Sequence, residues 1–549
     1  MVKVALGQFN ATVGDLPGNT GKILNLCEQA ACRDADLIVF PELAVCGYPP
    51  EDLLLNRHFL EDNLLMVRKI AAGRPDRTVI VGFAESHRGN TYNSAAILQG
   101  GRIGKIYRKG ALPKSGGFDE QKYFQPGNEP VVIHLKGLNI AVTICFDIWN
   151  LDWLKTFLKS AGQIRMIVNI SASPFDIRKI EKRQKTISRC AKEFDCVVSY
   201  CNLVGGQDEL VFDGRSMFSD AAGKIVAAAG AFNEDLLIAD VIGSKDGSVR
   251  VKPLRASAPQ PAGLIDEIYQ ALVLGAGDYV RKNRFKKVLL GLSGGIDSSV
   301  VAAIAAAALG AENVIGVTMP SRFNSPDTIT DAGELAKNLG IEFLTVPIEP
   351  VLRQFDDVLK MVPAWRSEGV AYENLQARIR GCILMSLSNQ FGAIVLTTGN
   401  KSEIAVGYAT VYGDTAGGFA VIKDVPKTIV YKLARHINKI SGRQVIPKDV
   451  ITRAPSAELR PGQKDTDSLP PYDLLDEILK GYVEEDKSLQ EIIKSGLPAD
   501  VVHRVIRMVD RSEYKRRLSP PGVKITPKAF GRDWRLPITN RYGSRGDTT

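Results

Sequence analysis

The stretch FKKVLLGLSGGIDSSVVAAIAAAALG, residues 285 to 310, changes character twice. Val288 to Leu292 is an apolar run of strand length, Ser293 to Gly295 is a turn of small residues, and an Ala-rich run of helix length begins at Ile296. Strand, glycine loop and helix in that order open a parallel α/β domain, because a parallel partner strand is reached only through a crossover. The later runs NVIGVTMP (313–320), EFLTVPI (342–348) and AIVLTTGN (393–400), with helical stretches between them, extend the pattern. They predict a doubly wound parallel sheet.

That sheet accounts for only part of the chain. With 549 residues, the protein exceeds the roughly 250 to 300 at which single cores stop growing, so two domains are expected. Upstream, VKVALGQF, ADLIVFPEL, TVIVGFAES, NIAVTICFDIW, RMIVNISA and CVVSYCNLVG alternate with amphipathic stretches and predict a second layered α/β domain. Pro, Gly, Ser and Ala crowd 247–264, which reads as the linker. The expected organisation is a domain over 1–246, a linker over 247–264, a domain over 265–540 and a tail over 541–549.

Composition narrows the class. With 45% hydrophobic and 24% charged residues and no long apolar run, the chain reads as ordinary globular protein with no membrane span. MVKVALGQFN enters strand-like sequence directly, without signal-peptide regions, so the cytoplasm is expected. Eight cysteines without a C-x-x-C, and five histidines not at ligand spacing, argue against structural zinc. The formal charge of +9 is scattered rather than gathered into a stripe, which suits anionic small substrates better than nucleic acid.

The loop Gly291, Leu292, Ser293, Gly294, Gly295, Ile296, Asp297, Ser298 sits where backbone N–H groups and a helix N-terminus would meet phosphate. It lacks the lysine of the common nucleotide loop and carries Asp297 instead, and an acid beside phosphate makes sense when it holds a divalent cation. SGGIDSS resembles the loop of the ATP pyrophosphatase family. MPSRFNSP, EGVAYENLQARIRG, LTTGNKSEIAVGYATVYGD and LRPGQKDTDSLPPYDLLD, in that order, resemble the NAD synthetases within it. The resemblance implies ATP as a substrate and Mg2+ held by Asp297 and Glu403. It also implies Thr398 and Lys427 at ATP, and Asn374, Arg378, Glu403, Asp414 and Lys515 at deamido-NAD. The reaction implied is adenylation of the nicotinate carboxylate followed by attack of ammonia.

In the first half, FPELAVCGY, YRKGALP and TICFDIW place Glu42, Lys109 and Cys145 each just after an apolar strand. Taken singly, these are more often a helix-start acid, a loop lysine and a buried thiol; three reactive groups at separate strand ends build a site at a sheet edge. With NISASPF and GGQDELVFDGRS downstream, they resemble the carbon–nitrogen hydrolase (nitrilase) superfamily in its glutamine-hydrolysing form, which implies an α-β-β-α sandwich. By that resemblance Cys145 is the nucleophile, Glu42 the general base and Lys109 the oxyanion partner, whose charge would also lower the Cys145 pKa. Ser115, Ser173 and Lys179 are implied at glutamine. Phe146 and Ser115 depart from the acid and tyrosine that such glutaminases often carry. Together the halves imply glutamine-dependent amidation of deamido-NAD in a homo-oligomer. A different carboxylate or carbonyl acceptor, or a nucleotide-binding or RNA-binding scaffold with a degenerate amidase half, are the alternatives.

Overall fold

A computed structural model describes residues 1–113, 119–244 and 247–542. The chain forms two compact units, Met1–Ala262 and the remainder from Gly263.

The first unit holds two mixed sheets. Seven strands run in the order Val249–Pro253, Asp235–Gly243, Val2–Gln8, Leu37–Val39, Thr78–His87, Asn90–Gln99 and Arg102–Arg108. Six run in the order Ile225–Ala228, Met217–Ser219, Val197–Asn202, Met166–Ser171, Leu138–Ile144 and Val131–Leu135. The strands read as unbroken apolar runs because both faces are buried, in different layers. Val4, Leu6, Leu37, Val39 and Ile80 share one core with Ile140, Val142, Ile144 and Val168, so those faces meet between the sheets. Their neighbours Ala5, Ile38, Val79 and Val81 pack instead with Ile23, Cys27, Val67 and Ile70 of the helices Leu16–Ala31 and Arg57–Gly73. On the far side, Ala141 and Ile167 pack with Leu154 and Ile187 of Leu151–Leu158 and Lys179–Phe194. A period of two with apolar residues in both phases thus yields four layers, α-β-β-α.

The stretch 247–264 is not linker throughout, contrary to its composition. Val249–Pro253 is an edge strand antiparallel to Asp235–Gly243, with Val249 and Val251 packed inward and Arg250 and Lys252 exposed. The alternation VRVKP is a half-buried strand that the surrounding Pro, Gly and Ser obscure. Further on, Ala228 N–H donates to Ser257 Oγ at 3.1 Å and Ala258 N–H to Ala228 O at 3.0 Å, so the first unit keeps the chain almost to its boundary. Of the expected tail, 543–549 lies outside the described residues.

The second unit is built on five parallel strands in the order Glu342–Thr345, Val314–Thr318, Lys287–Gly291, Ala393–Thr397 and Phe419–Ala420. The chain starts in the middle, extends one way, then returns to add strands on the other side of Lys287–Gly291. The topological switch point therefore lies between Gly291 and Thr397, where an open α/β sheet parts to admit a ligand. Helix Ile296–Leu309 is buried almost all round, which its alanines permit by letting neighbours approach closely. Beyond the sheet, Leu475, Val502, Val505 and Ile506 form a helical core with Ala405 and Val406.

Candidate active sites

In the first unit Glu42 and Lys109 follow strands of the seven-stranded sheet, whereas Cys145 follows Leu138–Ile144 of the six-stranded one. Glu42 and Lys109 are fully buried, and Lys109 Nζ donates to Glu42 Oε1 at 2.7 Å. Glu42 Oε1 also accepts from Asn93 Nδ2 at 2.8 Å, and its Oε2 from Ala172 N–H at 2.7 Å. Such a carboxylate has one orientation, fixed by charge-assisted bonds from both sheets. Cys145 is half-buried with φ 43°, a left-handed backbone at which the strand ends and a tight turn begins.

Sequence reasoning missed a fourth group. Glu120 is buried and accepts from Lys109 Nζ at 2.8 Å and from Tyr48 Oη at 3.1 Å. Burial pushes its carboxyl up to about 7, with Lys109 opposing. The signal was the acid of the GGFDE stretch, which looks like any loop acid until the chain folds it against Lys109. The expected lowering of the Cys145 pKa is also corrected: burial, and then the Glu42 carboxylate, drive the thiol well above its ordinary value. Lys109, itself paired with two carboxylates, pulls the other way and is outweighed by burial and by Glu42.

Ser173 and Lys179 follow the strand Met166–Ser171 of the six-stranded sheet. Ser173 is buried, its N–H donating to Asn202 Oδ1 at 2.9 Å and its Oγ accepting from Arg183 Nη2 at 3.3 Å. Arg183 is itself buried and paired with Asp213 at 2.9 and 3.0 Å. Lys179 faces Asp176 at 3.4 Å and stands 5.7 Å over the Trp149 ring, in the turn that Cys145 begins. Phe146 is 37% exposed, large for an aromatic beside the half-buried Cys145. Ser115 lies outside the described residues.

In the second unit a cavity of about 330 Å³ opens at the switch point. Gly291 through Ser298, Thr398, Glu403, Asp414 and Lys427 line it, so the structure gathers every residue expected at ATP. Lys427 Nζ donates to Asp297 Oδ2 at 2.5 Å and to Glu403 Oε1 at 2.9 Å. Asn400 joins the two acids, giving Nδ2–H to Asp297 Oδ1 and accepting Glu403 N–H at its Oδ1, both at 3.0 Å. Burial and the adjacent Asp297 push Glu403 up to about 7 even with Lys427 beside it. Asn374, Arg378 and Lys515 do not line this cavity. They converge with Asp414 on the loop 407–415: Thr410 Oγ1 donates to Asn374 Oδ1 at 2.8 Å and Thr410 N–H to Asp414 Oδ1 at 2.7 Å. Arg378 Nε reaches Val411 O at 3.3 Å, and Lys515 Nζ reaches Gly407 O and Ala409 O at 2.7 and 2.8 Å. Asp465 and Arg380 line the cavity without having been anticipated. Arg380 is pulled down to about 10 by burial, with Glu458 opposing, and it donates to Met319 O and Asn324 Oδ1.

Two family models match the chain: carbon–nitrogen hydrolase over residues 3–246 and NAD synthase over residues 268–519. The glutamine-dependent NAD(+) synthetase of Thermotoga maritima is 45% identical, over 98% of this chain and 99% of that one. Its counterpart in Aquifex aeolicus is 46% identical over 99% and 100%. A solved structure of glutamine-dependent NAD+ synthetase from Acinetobacter baumannii in complex with adenosine diphosphate matches with a TM-score of 0.78, at 42% identity over 99% of both chains.

Proposed function

The chain belongs to the glutamine-dependent NAD(+) synthetase family, and from that premise we propose how its residues divide the work. The first unit releases ammonia from glutamine; the second adenylates deamido-NAD with ATP and converts it to NAD.

Cys145 Sγ attacks the side-chain amide carbon of glutamine as Glu42 takes the thiol proton, since a thiol raised by burial needs a base at the moment of attack. Lys109 donates to the oxyanion, the proton passes from Glu42 to the departing nitrogen, and ammonia leaves a thioester. Water, deprotonated by Glu42, attacks the thioester carbon, the C–S bond breaks to release glutamate, and Glu42 returns the proton to Cys145 Sγ. Glu120 keeps Lys109 charged and aimed. Ser173 and Lys179 are assigned to the amino-acid end of glutamine, and Ser115 is proposed there on sequence grounds alone.

In the second unit a nicotinate carboxylate oxygen attacks the α-phosphorus of ATP, the bond to the β-phosphate breaks and pyrophosphate leaves. Ammonia then attacks the acyl carbon, AMP departs and the nitrogen gives up a proton. Gly291 to Ser298 hold the phosphates through backbone N–H groups, with Thr398 at the facing strand end and Lys427 against the departing charge. Asn374, Arg378, Asp414 and Lys515 shape the loop assigned to deamido-NAD. The Asp297 and Glu403 carboxylates converge on one ammonium in an acidic setting, a donor set that suits a hard divalent cation. Bound Mg2+ supplies charge neutralisation to the pyrophosphate, and Asp297 and Glu403 are the residues that would hold it.

Two further assignments have narrower support. All eight cysteines are free, as in a reducing cytoplasm. Val351, Phe355 and Val358, an exposed apolar stripe on the helix Glu349–Leu359, suit a chain that self-associates.

The observation that carries the reading is Lys109 held between Glu42 and Glu120 in the unit that also presents Cys145 on a strained turn. Cys145→Ala tests it: NAD formation with glutamine should vanish while formation with ammonium stays within about twofold, because only the nitrogen source is lost. Loss of both would refute the division of labour.

A further inference from the structure

Catalysis by Glu42, Lys109 and Cys145 requires two sheets to hold one relative position. The core between those sheets is apolar, and apolar packing has no direction that would fix sliding at the level of a reacting atom. Directed bonds must do it at the catalytic edge. One is the Glu42 bond from Ala172 N–H, made by a residue of the chemistry itself. Another comes from a side chain outside the reaction.

Asp147 is fully buried, two residues past Cys145. Its Oδ2 accepts Ile144 N–H at 2.7 Å, which closes the turn that carries Cys145. The same oxygen accepts Tyr107 Oη–H at 2.8 Å, and Oδ1 accepts Ala111 N–H at 2.8 Å. Tyr107 and Ala111 bracket Lys109 at two residues on either side, on the other sheet. A turn cap needs only the first of these bonds. The other two cross 40 and 36 residues of chain and reach the segment that aims Lys109. Burying a carboxylate is costly unless every bond is made, and here two of the three donors around the acid come from outside its own turn.

We propose that Asp147 is a positioning residue: it locks the Cys145 turn to the Lys109 segment across the sandwich and so sets the distance between nucleophile and oxyanion partner. It touches no substrate atom. The proposal rests on Cys145 and Lys109 being the reacting pair.

Asp147→Asn tests it. The amide keeps one acceptor but sets its own NH2 against a donor, so the lock opens on one side with the volume unchanged. Glutamine-supported kcat should fall about 100-fold with KM for glutamine within about threefold, the pattern of a displaced reacting group. Ammonium-supported synthesis by the same protein should stay within about twofold. Inactivation of Cys145 by an electrophilic glutamine analogue should slow at saturation with its half-saturation concentration unmoved, which general loosening would not produce. Tyr107→Phe, which removes one of the three bonds, should give a loss of about 3- to 10-fold. A kcat within threefold of the parent, a rise in KM alone, or parallel loss of ammonium-supported activity would each overturn the proposal. Cys145→Ala in parallel separates the failures: if it keeps glutamine-supported synthesis, the assignment of the nucleophile is at fault, and if it does not, only the role of Asp147 is.

Discussion

Glu120 carries a pH signature of its own. Its carboxyl is pushed up to about 7 in the folded protein, so its contribution to stability is present below the unfolded value near 4.5 and is lost as the pH rises through 7. Glu120→Gln cannot ionise and escapes that loss. The variant should therefore gain in melting temperature on the parent between pH 5 and pH 8, which calorimetry at the two pH values would read; an unchanged difference would sink the argument. In the other unit, Asp297→Ala leaves Lys427 with Glu403 alone. NAD formation should fall by at least about 100-fold with either nitrogen donor, as when a group acting on transition-state charge is removed. A normal ammonium-supported rate would contradict its role. At this scale the sequence showed residue types at strand ends, and so placed Glu42, Lys109 and Cys145 after three strands and the glycine loop between a strand and a helix. It could not show Glu120 or Asp147, whose significance lies in partners up to 72 residues away.

Two strand-to-loop elements depend on glycines with no room for a side chain. Gly294 has φ +77°, and a Cβ there would lie 2.1 Å from Thr328 O. Gly294→Ala would strain the loop and push it off the neighbouring helix, so ATP-dependent synthesis should collapse with both donors. Gly82 is constrained by proximity alone: a Cβ would stand 2.4 Å from Pro41 O and Leu43 N, the backbone on either side of Glu42. Gly82→Ala should cost about 1 to 3 kcal/mol of stability in the first unit and at least about tenfold in glutamine-supported rate, with the ammonium-supported rate retained. Parallel assays with the two donors, with thermal unfolding, check both variants. The glycine loop was legible because its small residues fall between a strand and a helix in sequence. Gly82 was not, because the segment it accommodates lies some 40 residues earlier.

For the molecule as a whole, the two units answer to different assays, and nitrogen chemistry joins them. Ammonium must lose its proton before it can attack an acyl adenylate. In Cys145→Ala at fixed total ammonium, the rate should therefore climb with pH in proportion to free ammonia, whereas the intact protein with glutamine should not follow that slope. Identical pH profiles would mean that both routes draw on the bulk pool.

The sequence by itself determined that there are two α/β halves, where the glycine loop falls, and which three residues follow three strands of the first half. Those facts are local, set by periodicity and by small residues at turns. Only the tertiary structure decided that Val249–Pro253 joins a sheet instead of a linker, and that Asn374, Arg378 and Lys515, outside the cavity, meet Asp414 on one loop that borders it. It alone decided too that Cys145 is a raised thiol, whose burial and neighbouring carboxylate outweigh Lys109. The reason is physical: edge pairing, burial and the sharing of one ammonium between two acids are set by which atoms come within a few ångströms, and residues distant in sequence supply those atoms.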